Sequence, residues 1–206
     1  MTGVALGVLM LGACKERTNT ADTGQVGTPP AADTTATGMA ATPTDTGNAM
    51  TNHSPMTDAA IVALLDEANG ADSAAGAYAL GKAASADVKT FARMMMGEHH
   101  ALRAQGRALA KKLGVTPEPP AEDPVKAAGE AEMSALKAAG KGAAFDGVYI
   151  DQEVTIHKAV LDLAENAHND AKSEELKKLI ESAKPVIQKH LDRAEELQKA
   201  LSKPTT

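Results

Sequence analysis

The chain has 206 residues, a formal net charge of -6, 43% hydrophobic and 23% charged side chains, and only 2% aromatics. The acidic balance leaves no basic footprint for nucleic acid. So few aromatic rings argue against a β-sandwich or barrel and against sites that stack bases or sugars. The single cysteine excludes a disulfide framework and a Cys-rich zinc module.

The first feature in chain order is a short apolar run, Val4 to Leu11, that ends in Leu11-Gly12-Ala13-Cys14. It is too short to span a bilayer and fits a secretory signal closing on small residues. No Lys or Arg precedes it, the one departure from that pattern. The sequence LGAC resembles a bacterial lipobox, in which the cysteine is lipidated and becomes the new N-terminus. Residues 1–14 are therefore expected to be a leader, with Cys14 as a lipid anchor to the membrane. The expected location is periplasm-facing, on the outer membrane of a Gram-negative bacterium. Residues 15–56 are Thr, Ala, Gly, Pro, Asp and Asn with almost no large apolar side chain. Such a stretch cannot bury enough surface to offset its ordering entropy, so it reads as a disordered tether in which His53 has no expected role.

From Thr57 the pattern becomes helical, and residues 57–203 read as one bundle domain. The first long helix is predicted from Asp58 to Ala84, with enough Ala and Gly (Ala74, Ala75, Gly76, Ala77) for a close neighbour. The second runs from Ala86 to Leu113, with Ser85 as cap and Lys111, Lys112, Gly114 and Pro117 as stop chemistry. A long connection, Gly114 to Gly142, holds a predicted short helix bracketed by Asp123-Pro124 and Gly140. The third long helix runs from Ala143 to His168 and the fourth from Ser173 to Leu201. Short turns make each pair an antiparallel hairpin, and the long connection can cross the length of a bundle. The expected fold is all-α, a ferritin-like four-helix bundle with a helix-bearing crossover between the second and third long helices.

Each long helix has an apolar stripe interrupted by one side chain of metal-ligand type: Asp72, His99, His157 and His190. Asp72 and His99 stand at nearly equal distances from Ser85 and so share one height. His157 and His190 are unequally placed about a turn near Asp170, an offset on the order of 10 Å at 1.5 Å per residue. Glu153 matches His190 better, and Pro185 is expected to kink the last helix. Inward side chains on facing helices build metal sites in bundles, and neutral imidazoles suit zinc, iron or copper. Glu98 and Glu153 are candidate partners that would orient the rings. Glu165-x-x-His168 matches half of a di-iron motif but occurs once, His100 points off the stripe, and Met95 reads as core packing. No phosphate-binding loop, Ser-His-Asp order or paired catalytic carboxylates support a hydrolase or a nucleotide enzyme.

The segments FARMMMGEHHALR, AAFDGVYIDQEVTIHKAVLDL and AKPVIQKHLDRAEEL resemble the domain-of-unknown-function 4142 family. The resemblance implies an exported, often lipidated, ferritin-like bundle. It matches Glu98-His99, Phe145-Asp146, His157, and Pro185 followed by His190 to family positions, with Asp72 where a Glu is usual. Three functional classes remain open. One is a membrane-tethered protein binding a transition metal for storage, sensing or stress protection. Another is a non-enzymatic envelope stress or interaction protein whose His layer is structural or pH-sensing. The third is an acid–base enzyme using a His pair.

Overall fold

The structure, a computed structural model, describes residues 54–203. The leader, Cys14, most of the tether and His53 lie outside the described residues. Five helices follow in order: α1 (Asp58–Leu80), α2 (Ala86–Leu113), α3 (Pro124–Ala138), α4 (Ala143–Asp170) and α5 (Glu174–Leu201). The fold is an all-α bundle, and among the described residues no helix is long and apolar enough to cross a membrane.

Local chemistry sets the helix ends. Thr57, Ser85 and Ser173 each cap a long helix by accepting a backbone N–H from the first turn, and Asp123 does so twice for α3, with Pro124 at its start. Gly114 ends α2 in the left-handed conformation, at φ 67°. The first helix stops at Leu80, four residues short of its predicted end at Ala84. The cause is tertiary: the Gly142 N–H donates to the Lys82 carbonyl at 2.9 Å, and the N–H groups of Ala84 and Ser85 donate to the Asp146 carboxylate at 2.9 and 2.8 Å. At the opposite end α4 runs on past His168 to Asp170. There the N–H groups of Lys172 and Ser173 donate to the Asp58 carboxylate at 2.7 and 3.0 Å.

These contacts fix the topology. The start of α4 sits at the α1–α2 turn, and the α4–α5 turn sits at the start of α1. The long helices therefore run up, down, down, up, and the α2–α4 connection travels the length of the bundle. Its helix α3 packs on α1 and α4. The Cβ that Gly129 lacks would lie 3.1 Å from the Ala71 Cβ, so α3 approaches α1 closely there. The approach of α1 to α2 is tighter still, because a Cβ on Gly76 would meet the Ala92 carbonyl oxygen at 2.8 Å.

Two apolar clusters fill the interior. One, at the α1–α2 turn end, includes Ala79, Phe91, Met95, Leu136, Phe145, Tyr149 and Leu197. The other, at the α4–α5 turn end, includes Ile61, Val62, Ala164, Leu176 and Ile180. Between them, in sequence position on every long helix, lie buried Asp72, His99, His157 and His190, and buried Glu153 sits one turn before His157.

Candidate metal centre

The three imidazoles meet in the middle of the bundle. Ring centroids are 4.9 Å apart for His99 and His190, 5.5 Å for His157 and His190, and 5.6 Å for His99 and His157. The offset expected between His157 and His190 is therefore corrected. The α4–α5 turn lies at residues 171–173 rather than near Asp170, which brings the two residues closer to equal distances from it. The α5 helix also passes through Pro185 unbroken.

Each ring is held by one nitrogen and leaves the other facing inward. The Nδ1 of His157 lies 2.8 Å from the Glu153 carbonyl oxygen, one turn back on α4. A carbonyl only accepts, so Nδ1 donates and the neutral ring keeps a bare lone pair on Nε2. The Nδ1 of His99 lies 2.9 Å from Asn69 Oδ1, and the Asn69 amide nitrogen donates to the Leu65 carbonyl at 2.6 Å. Asn69 is thus oriented as an acceptor, and His99 Nε2 is bare. The Nε2 of His190 donates to the Glu98 carboxylate at 2.9 Å, which leaves Nδ1 bare. These three inward nitrogens, His99 Nε2, His157 Nε2 and His190 Nδ1, find no hydrogen-bond partner among the described residues. Burial is also what keeps the rings neutral. It pushes His157 down to about 4 and, with the charges of His190 and His157 adding, His99 down to about 2. His190 is lowered by burial as well, against the opposing pull of Glu98.

Donor atoms of His99, His157 and His190 all lie within 4.8 Å of one another, within reach of a single ion. Asp72 joins a different set. It falls with Glu153 and His157, again within 4.8 Å, while its Oδ2 is 3.5 Å from His99 Nδ1. The structure thus brings Asp72, His99, His157 and His190 into one layer but divides their donors between an imidazole set and a carboxylate set that share His157. Glu98 touches His190 as an orienting partner. Glu153 orients His157 through its backbone carbonyl, and its carboxylate stands 3.4 Å from His157 Nδ1. Of the weaker candidates, Met95 is core, His100 is exposed, and Glu165 is exposed and remote from the layer.

Two members of the site were not singled out from sequence. Asn69, one turn before Asp72, orients His99. Glu132, on the inner face of α3 one turn before buried Leu136, is 1% exposed. Burial pushes the Asp72 carboxyl up to about 7. Burial and the neighbouring Asp72 charge push Glu132 up to about 8. Glu153 is raised well above the usual range by burial and by the charges of Asp72 and Glu132. Among the described residues no buried lysine or arginine offsets these three acids: the buried charged and polar side chains are acids and histidines.

The family model described as Domain of unknown function (DUF4142) matches residues 40–197. The chain belongs to this family. Every residue of the buried layer, and both Asp58 and Asp146, falls inside the DUF4142 match. No curated protein and no solved structure matches the chain.

Proposed function

We propose that this DUF4142 chain binds a transition-metal ion through His99, His157 and His190, as a periplasm-facing protein tethered to the membrane by a lipid on Cys14. One observation carries the metal reading: a ring nitrogen from each of three buried histidines lies within 4.8 Å of the others, and each ring is locked on one nitrogen by Asn69, the Glu153 carbonyl or Glu98 while its other nitrogen has no partner among the described residues. Buried polar atoms left without partners are costly, and an ion is the species that satisfies several acceptors at once. Such backing of each ligand from its outer nitrogen is the usual support of metal-binding histidines. A purely structural His layer accounts for this less well, since a register-fixing polar layer would hydrogen-bond to itself and no proton lies between these nitrogens. Imidazole donors suit zinc, iron, copper and nickel. A bound cation would draw the protons off the nearby Asp72 and Glu153, whose charge would then offset its own. The anchor reading rests on LGAC and the apolar run before it, and the tether of residues 15–56 follows from its composition.

The test is metal analysis of protein purified from metal-replete cells, alongside the His99→Ala/His157→Ala double variant. About one ion per chain, lost in the variant, is expected. A wild-type protein that carries none and whose melting temperature ignores added zinc, copper and iron would overturn the reading.

A further inference from the structure

A cavity of about 650 Å³ opens between α1, α3 and α4, on the side of the bundle where Asp72 and Glu132 end the polar layer. Its size falls among small-molecule sites, roughly 300–1,000 Å³. The walls are mainly apolar, with Leu64 from α1, Val125 from α3, and Ile156 and Leu163 from α4, while the exposed Glu122 and Asp162 also line the cavity. Its polar floor is Asp72 and Glu132, which are 2% and 1% exposed. Asp72 Oδ1 and Glu132 Oε1 find no hydrogen-bond partner among the described residues. No Lys or Arg is among the residues that line the cavity.

We infer that this cavity binds a small organic ammonium, its apolar body along the walls and its cationic head at Asp72 and Glu132. The head group follows from the floor. Two unpartnered carboxyl groups with no countercharge in the lining are best met by a group that brings several N–H donors and the positive charge that draws their protons off, so the titration is run at about pH 8 or above. An alcohol offers one donor and no charge, and a carboxylate adds repulsion. The body follows from the walls, whose mainly apolar side chains reward apolar burial. The inference uses no imidazole and stands apart from the metal reading, although Asp72 borders both sites.

The experiment is calorimetric titration of the full chain, treated with chelator, with hexylammonium, hexanol and hexanoate, which share one apolar body. Hexylammonium is expected to bind at one site, hexanol about tenfold or more weakly, and hexanoate not at all. Glu132→Gln should weaken hexylammonium by about tenfold while leaving hexanol unchanged. Leu163→Trp, which fills the cavity, should abolish both and leave zinc uptake intact. Equal binding of hexylammonium and hexanol overturns the inference, as does an unchanged hexylammonium affinity in Glu132→Gln or in Leu163→Trp. Zinc titration of the same samples separates the two readings. A chain that takes zinc and ignores hexylammonium overturns this inference alone, and the reverse result overturns the metal reading alone.

Discussion

Asn69 sets the direction in which His99 faces. Its Oδ1 accepts from His99 Nδ1 at 2.9 Å while its own amide nitrogen is committed to the Leu65 carbonyl at 2.6 Å, so the amide cannot flip without losing one bond or the other. Asn69→Leu keeps the size of the side chain and removes the acceptor. Loss of such a backing group usually costs about 10–100-fold in metal affinity. We expect that loss in a competitive zinc titration, with the helical signal of the protein unchanged. An unaltered zinc affinity would show that His99 is oriented by packing instead.

The α1–α2 contact depends on a missing side chain. A Cβ at Gly76 would lie 2.8 Å from the Ala92 carbonyl oxygen, which is backbone and cannot swing away. Gly76→Ala should therefore destabilise the bundle by about 1–3 kcal/mol despite the better helix propensity of alanine. Gly97, exposed on α2 with nothing within 4 Å of its virtual Cβ, is the control. Gly97→Ala should stabilise by about 0.5–1 kcal/mol. Urea midpoints of the two variants, moving in opposite directions from the parent, are the check.

The periodicity of the chain showed which side of each long helix faces inward, and so placed Asp72, His99, His157 and His190 together. It did not show which donors share a point. That depends on ring orientation, set by Asn69 and Glu98 from other helices, and on the α4–α5 turn, which a residue count placed too early. Glu132 was out of reach for a related reason. Its helix lies in the connection, and nothing local says that α3 turns one acid into the bundle rather than into water. The end of α1 was misplaced because its last predicted turn is unwound by contacts from Gly142 and Asp146, about sixty residues away in sequence.

The two hairpins hold each other by a reciprocal pair of carboxylates. Asp146, in the first turn of α4, accepts from the backbone at the α1–α2 turn, and Asp58, in the first turn of α1, accepts from the backbone at the α4–α5 turn. Asp146 is 2% exposed and its two bonds are part-buried, so Asp146→Ala leaves two part-buried N–H groups to water and should cost about 1–2 kcal/mol. The bonds of Asp58, one exposed and one part-buried, should be worth less, about 0.5–1.5 kcal/mol. Amide exchange should rise at Ala84 and Ser85 in the first variant and at Lys172 and Ser173 in the second. Exchange that rises at both ends in either variant would mean that the turns open together.

The buried acids give the metal-free protein a pH dependence of known sign. Glu132 is raised from an ordinary value of 4.5 to about 8, by burial and then by the Asp72 charge. Between those values the folded state holds a proton that the unfolded chain has released. The stabilisation from that proton is complete below about 4.5 and is lost as pH rises towards about 8. The histidines act in the opposite sense and only at lower pH. Their folded values lie below 6.5, so by about one unit above it both states hold almost entirely neutral rings and contribute little slope. Above about 7 the carboxyls dominate, and stability should fall as pH rises towards about 8. Glu132→Gln removes one of them, and its urea midpoint should fall less steeply across that window than the parent's. Asp72, raised by burial to about 7, and Glu153 keep the slope from vanishing. Parallel slopes for variant and parent would mean that Glu132 does not hold its proton in the folded protein.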